Sequence, residues 1–270
     1  MKSEFFLNSR ELENRDILTF LQGSAFLWGM SVFTTALVSK QRLIFGNAHI
    51  ERLERGLGYL FEEVREPKQI ENEIRESLQR SELFKDEKNE SLKLRVTYFK
   101  DSSLKKLSLL IEVSEFKSND EPVLLNSHER EERLRAFSQD IKIGNYAESL
   151  RLKNCLKSEV LFYNSEGYLE DSTIANIILR ERETKEWKTP QGDFFKGIAL
   201  THLLKEPQSK ITPCKIHRNE QENFDALFLV NSLRGLIPVK RWDDLELSPV
   251  MRSELLESYN KIKAKDFIQL

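Results

Sequence analysis

The sequence predicts an α/β protein in two parts: a small α+β domain over residues 1–120 and a larger, mixed α/β domain over residues 121–270. Two observations carry that reading. In the first half, β-branched and alternating apolar runs stand on either side of two helical stretches, in the order β-β-α-α-β-β. In the second half, short strand-like and helix-like runs are interleaved instead. A polar stretch over residues 117–128, beginning Lys117-Ser118-Asn119-Asp120-Glu121-Pro122, reads as the linker between the halves.

Taken in order, residues 31–38 (Ser-Val-Phe-Thr-Thr-Ala-Leu-Val) are rich in β-branched side chains, and Ser39-Lys40-Gln41-Arg42 is a polar turn before Leu43-Ile44-Phe45, so a β-hairpin is expected. From Ala48 the period changes: Ile50, Leu53, Leu57, Leu60 and Phe61 share one helical face. A second amphipathic helix is expected over 67–84, with Ile70, Ile74, Leu78 and Leu83 inward. Residues 92–99 and 107–113 alternate as strands. Beyond the linker, helices are expected over 144–156, 196–205 and 248–262, with strands over 159–163, 174–180 and 226–230. No internal repeat is visible.

The bulk properties exclude some function classes. A net charge of −2, with acids and bases interspersed, gives no basic stripe for a nucleic-acid backbone. The run Glu129-Arg130-Glu131-Glu132-Arg133 reads as a solvated face. No stretch has the length of a membrane span, and Met1–Leu7 lacks the apolar run of a signal peptide. Cys155 and Cys214 are far apart and share no ligand spacing, so no metal site and reduced thiols are expected, in a cytoplasmic protein.

Several short segments carry chemistry. Lys142 opens Lys142-Ile143-Gly144-Asn145-Tyr146, and the apolar Ile141 and Ile143 beside it suit partial burial, which favours the neutral amine. Gly167-Tyr168-Leu169-Glu170-Asp171-Ser172-Thr173-Ile174-Ala175-Asn176 follows. Then come Thr189-Pro190, Gly197-Ile198-Ala199 at an expected helix start, and Asn231-Ser232-Leu233-Arg234-Gly235-Leu236-Ile237-Pro238-Val239. Upstream, Ala48-His49-Ile50-Glu51-Arg52-Leu53 opens the first helix.

In this order the segments resemble the class IV aminotransferase family, the fold-type IV enzymes that use pyridoxal 5′-phosphate (PLP). The resemblance implies a D-amino-acid-aminotransferase-like fold with PLP between the two domains, the lysine on the larger one, and a homodimer. It implies that Lys142 carries the cofactor as an imine and moves protons, and that Asp171 faces the pyridine nitrogen, with Asn176 closing that motif. Glu170 is the neighbouring acid, on the opposite face if the segment is a strand. Arg52 is the implied phosphate cation, with Gly197, Ile198, Ala199 and Ser232 as further phosphate contacts; His49 reads as structural. Asn231 and Arg234 are implied substrate residues, and Arg234 is equally read as a brace for its own loop. Thr34 or Thr35 is placed to assist the reaction.

The loop Asn231–Val239 and the hairpin segment Phe33-Thr34-Thr35 are most similar to the aminodeoxychorismate lyases of the family. The implied activity is conversion of 4-amino-4-deoxychorismate to 4-aminobenzoate and pyruvate, in folate synthesis. The alternative is a branched-chain or D-amino-acid aminotransferase. The chain also departs from the family pattern. Trp28-Gly29-Met30-Ser31 stands where Gly-Asp-Gly is typical, Asp171 replaces a glutamate, and Ala199 and Leu200 replace a hydroxyl residue and an arginine. Those departures motivate a third reading, a catalytically impaired member acting as a binding protein.

Overall fold

The structure, a computed structural model, describes residues 2–119, 121–130, 141–192, 194–248, 250 and 254–270. Residues 131–133 of the glutamate-rich run, and 249 and 251–253 of the helix expected over 248–262, lie outside the described residues. The chain forms two compact units: Met1–Lys117 with Asp140–Asn145 and Asp266–Leu270, and Ser118–Gln139 with Tyr146–Lys265.

The first unit is α+β. Its strands are β1 (Ser3–Leu7), β2 (Arg10–Glu11), β3 (Ser31–Ser39), β4 (Arg42–Ile44), β5 (Ser91–Lys100), β6 (Leu107–Glu115) and, from the end of the chain, β16 (Phe267–Gln269). They form one sheet in the order β16-β4-β3-β5-β6-β1-β2, antiparallel throughout. The helices are α1 (Ile17–Leu21), α2 (Ser24–Trp28), α3 (Gly46–Phe61), α4 (Pro67–Arg80) and α5 (Glu82–Lys85).

Alternation decides which face meets the helices. Val32, Ala36 and Val38 of β3 join Leu94, Val96 and Tyr98 of β5 in a core with Ile50, Leu53 and Leu57 of α3 and Ile70, Ile74 and Leu78 of α4. Each large apolar side chain buried there stabilises the fold by roughly 1.5–3 kcal/mol. The odd-numbered residues of β3, including Phe33 and Thr35, take the opposite face, in register with Thr97 and Arg95 of β5.

The helix expected over 67–84 is interrupted. Pro67 and the reciprocal Glu66–Gln69 cap start α4, but Ser81 leaves the helical conformation at φ −73°, ψ 123°. Its hydroxyl donates to Glu4 Oε2 at 2.5 Å and accepts from the Phe84 amide at 3.1 Å, which starts α5 as a separate turn. A cap that also ties the segment to β1 competes successfully with helix continuation.

The second unit is mixed α/β. Its strands are β7 (Val123–Glu129), β8 (Glu159–Tyr163), β9 (Leu169–Ser172), β10 (Asn176–Glu181), β11 (Trp187–Pro190), β12 (Ile211–Cys214), β13 (Phe224–Asn231), β14 (Gly235–Trp242) and β15 (Leu245–Glu246). The order is β12-β11-β10-β13-β14-β7-β8-β9, with β15 beside β14. The pairs β11·β12, β14·β7 and β7·β8 are parallel and the rest antiparallel. Its helices are α6 (Ala147–Leu156), α7 (Ile198–Lys205) and α8 (Glu254–Lys265). β9 ends the strand order while β10 lies inside it, yet only residues 173–175 separate them. The four steps from Ser172 to Asn176 span about 14 Å at most, so the sheet curls back on itself there.

The stretch expected as a linker, 117–128, contains strand β7 instead, running between β14 and β8. Its central Asn126-Ser127-His128 conceals it, although Asn126 and Ser127 are held by hydrogen bonds to other parts of the chain. Ser127 N–H donates to Asp243 Oδ1 at 2.6 Å, and Asn126 Nδ2 donates to Ser158 Oγ at 2.6 Å. Cys155 and Cys214 are unbridged. Among the described residues no helix is long and apolar enough to cross a membrane, and no cluster of three His, Cys, Asp or Glu could hold a metal ion.

Candidate active site

In the first unit, Lys142 is placed by backbone contacts. Its carbonyl accepts from the Phe33 amide at 3.0 Å, the Gly144 amide donates to the Ser31 carbonyl at 3.0 Å, and Val32 and Ile143 form an antiparallel bridge. The segment is thus a short bridge onto the start of β3 rather than a full strand. Gly144 makes that approach possible: a Cβ there would stand 2.4 Å from Ser31 Oγ and 3.1 Å from the Gly29 carbonyl. Lys142 is half-buried, and its Nζ lies 4.9 Å from the centroid of the Phe33 ring.

The two candidate threonines part company on β3. Thr34 points to the helix-facing side, is buried, and hydrogen-bonds through Oγ1 to His49 Nδ1 of α3 at 2.5 Å. Thr35 shares the other face with Phe33, across from Arg95, whose guanidinium carbon lies 3.8 Å from the Phe33 centroid. Arg52 follows His49 by three residues, one turn along α3, and is also buried. A buried arginine on the first half of a helix is an uncommon placement for so polar a group and suits an anion partner.

In the second unit, Asp171 is linked to its motif partners by side-chain hydrogen bonds. Asn176 Nδ2 donates to Asp171 Oδ1 at 3.1 Å and to the Phe195 carbonyl at 2.8 Å, while its Oδ1 accepts from the Gly197 amide at 2.6 Å. That network fixes the amide's orientation. A Cβ on Gly197 would stand 2.7 Å from Asn176 Oδ1, so only glycine lets α7 begin this close. Ile198, Ala199 and Leu200 are buried in the first turn of α7, where backbone amides have no intrahelical acceptor and the helix dipole favours an anion. Alanine at 199 offers no hydroxyl, so backbone donors supply that end of the helix.

Asp171 keeps partial solvent contact over its surface, yet its carboxyl is ringed by protein atoms. Burial pushes it up to about 7, against the Ser172 amide, the charge of Arg130 and the Asn176 amide, which favour the anion; Glu170 adds to the rise. A carboxyl in that condition suits a cationic or protonated partner. Glu170 is buried, at a register irregularity of β9: Phe162 pairs with Asp171 and Tyr163 with Leu169.

Ser232 lies in the turn between β13 and β14. Val230 is in register with Asn176, so this turn stands at the same end of β10 as the Asp171 network. Asn231 Oδ1 accepts from the amides of Leu233 and Arg234 at 3.1 and 2.8 Å, and Arg234 Nη2 donates to the Asn119 carbonyl at 2.6 Å. Both side chains therefore brace the loop. Thr189 is buried and donates to the Ile177 carbonyl at 2.7 Å.

The structure thus brings together Asp171, Asn176 and Gly197, with the Ser232 turn beside them, in one unit. In the other it pairs Thr34 with His49 and sets Lys142 against Phe33. Sequence reasoning missed Arg130, which follows the unrecognised strand β7, and the Phe195 carbonyl, whose part comes only from the fold. The residues fit PLP on chemistry present in each unit: a half-buried lysine amine and a buried arginine in the first, a carboxyl pushed up to about 7 by burial and a close-packed helix start in the second.

A family model for "Amino-transferase class IV" matches residues 31–242. No curated protein matches the chain. Among solved structures it is similar to the PLP-bound form of a hypothetical aminotransferase from Mycobacterium tuberculosis, at 15% identity, TM-score 0.82, and coverage of 98% of this chain and 100% of that one. It is also similar to a fold IV transaminase from Curtobacterium pusillum, at 17% identity, TM-score 0.80, covering 98% and 100%. A branched-chain aminotransferase from Thermoproteus uzoniensis matches at 16% identity, TM-score 0.78, covering 97% and 94%. Such identities speak to the fold, and the family model adds the lineage. The chain belongs to the class IV aminotransferase family, with PLP as its cofactor.

Proposed function

We propose that the chain is a PLP-dependent lyase that converts 4-amino-4-deoxychorismate to 4-aminobenzoate and pyruvate, as a cytoplasmic homodimer serving folate synthesis. The observation that carries this reading is the arrangement on β3. The residue after Phe33 is Thr34, a hydroxyl bonded to His49, and the face beside Lys142 Nζ presents Phe33 and the hydroxyl of Thr35.

When bound, PLP supplies an electron sink for the carbon that bears the substrate's amine. Lys142, once its amine is free, removes the proton from that ring carbon and is then able to return it to the departing enolpyruvate. The C–O bond to the enolpyruvyl group breaks as the ring becomes aromatic, which drives the step forward. Asp171 holds the proton of the cofactor's ring nitrogen, and Asn176 aims the carboxyl. For the phosphate, Arg52 would offer a cation from the first unit, and Ser232 with the first amides of α7 would offer donors from the second. Thr35 is the polar group that orients the leaving side, and Arg234, with Asn231, shapes the loop at the substrate's edge.

A second reading, an aminotransferase, is supported by the branched-chain aminotransferases among the solved structures the chain is similar to. The same lysine would then move its proton between substrate and cofactor, with a keto acid as amine acceptor. Incubating the PLP-loaded protein with 4-amino-4-deoxychorismate and following 4-aminobenzoate and pyruvate together tests the proposal. Equal formation of both is expected. Turnover only when a keto acid is supplied would replace the lyase by the aminotransferase.

A further inference from the structure

Phe162 stands at the centre of a row of side chains across three strands. Its Cα partner on β7 is His128 and its partner on β9 is Asp171. Partners in adjacent strands project to the same face, so the three side chains form one row, with neighbours about 5 Å apart at Cβ. Arg130, two residues beyond His128, leans over the same ring: its guanidinium carbon lies 3.7 Å from the Phe162 centroid. The Arg130 amide donates to the Tyr163 carbonyl at 2.8 Å and fixes the root of the side chain.

Helix α6 covers this face. Leu152 packs with Val160 and Phe162, and one turn earlier Glu148 brings Oε2 to 3.7 Å from Arg130 Nε. That Nε is buried and has no hydrogen-bond partner. The guanidinium is therefore held over the Phe162 ring by that contact and a loose ion pair, and Phe162 is the direct neighbour of Asp171 in the row. Among the described residues, the charged groups acting on Asp171 are Arg130 and Glu170. Glu148 from α6 faces Arg130, and His128 faces the Phe162 ring edge-on.

We propose that Arg130 is a positioning residue for the cofactor-binding acid: stacked on Phe162 and tethered by Glu148, it keeps the Asp171 carboxyl ionised, the state in which that carboxyl holds a protonated ring nitrogen. The proposal rests on the reading of Asp171 as the ring-nitrogen partner. Its physical basis is an imbalance. Burial and Glu170 both favour the neutral acid, and the donors opposing them are two amides and one full positive charge. The Ser172 amide is the stronger of the groups favouring the anion, and Arg130 is the one that brings a full charge.

Full-length protein labelled with 13C at aspartate carboxyls, with the Asp171 signal assigned by Asp171→Asn, tests this with and without PLP. Without PLP, the Asp171 midpoint is expected near 7 in the parent. It should move up by about one pH unit in Arg130→Gln and stay in place in Arg130→Lys, which keeps the charge. A midpoint unmoved in Arg130→Gln would mean that Arg130 only covers Phe162, and would overturn the proposal. If Arg130→Gln does not fold, Arg130→Lys decides: a rise of about one unit there, with the charge retained, overturns it equally. Adding PLP separates the two layers. A parent that binds no PLP refutes the role of Asp171 whatever the titration shows, whereas bound PLP with an unmoved midpoint refutes only that of Arg130.

Discussion

The two sheets hold their functional residues by different means. In the antiparallel sheet, the Lys142 segment is placed by two backbone hydrogen bonds and the close passage of Gly144. In the mixed sheet, Asp171 is placed by Asn176, whose amide simultaneously holds the Phe195 carbonyl and the Gly197 amide. Removing a side chain should therefore separate chemistry from stability in the first unit and damage both in the second.

The largest effect should come from Lys142→Ala. Turnover is expected to fall by at least about 10³-fold, as for a group that both bonds covalently and moves protons, while stability changes by no more than about 0.5 kcal/mol. A steady-state assay beside a urea titration checks both halves. Asn176→Ala is the contrasting change. It leaves the Gly197 amide and Phe195 carbonyl without their partner, and a loss of about 2–3 kcal/mol is expected together with weaker PLP binding. If Asn176→Ala unfolded at the parental urea midpoint, the contrast between the units would not hold.

Asp171 sharpens the comparison through pH. Folding raises its carboxyl from an ordinary 3.8 to about 7, so the folded chain binds the proton more tightly than the unfolded one. Its contribution to stability is complete below about pH 4 and is lost as pH rises through about 7. Without PLP, the parent should therefore lose stability across that window relative to Asp171→Asn, with the variant the more stable of the two at pH 8. Urea midpoints of both proteins from pH 4 to 8 measure this, and parallel curves would remove the buried acid from the account.

The smallest effects should divide the two threonines. Thr34→Val takes the hydrogen-bond partner from the buried His49 Nδ1 and should cost about 1–2 kcal/mol. Thr35→Val should leave stability within about 0.5 kcal/mol and act on turnover instead. The reverse assignment would show that the helix-facing hydroxyl is the one that serves the reaction.

Much of the first unit is legible in the sequence because its sheet has one face on helices: Leu92, Leu94 and Val96 alternate with Lys93, Arg95 and Thr97, and Ile50, Leu53 and Leu57 repeat at helical spacing. The edge strands β2 and β16, and β1 beside β2, are short and lack that signal. The long helix breaks at Ser81 because a side chain 77 residues away, Glu4, competes for it. In the second unit, β7 is hidden because its polar residues are satisfied by Asp243 and Ser158, which lie far off in sequence.

The candidate site divides in the same way. Lys142, Arg52, Asp171 and Asn176 can be nominated from local motifs. The engagement of Gly197 by Asn176, the pairing of Thr34 with His49 and the stacking of Arg130 on Phe162 depend on strand register and helix packing, which no local pattern encodes.

The central claim is that Lys142 carries PLP, and the visible absorption spectrum of the purified protein with added PLP tests it most directly, beside Lys142→Ala. A lysine-bound PLP band in the parent that vanishes in a folded Lys142→Ala is the predicted result. The same band in both proteins, or no band in the parent at saturating PLP, would contradict it.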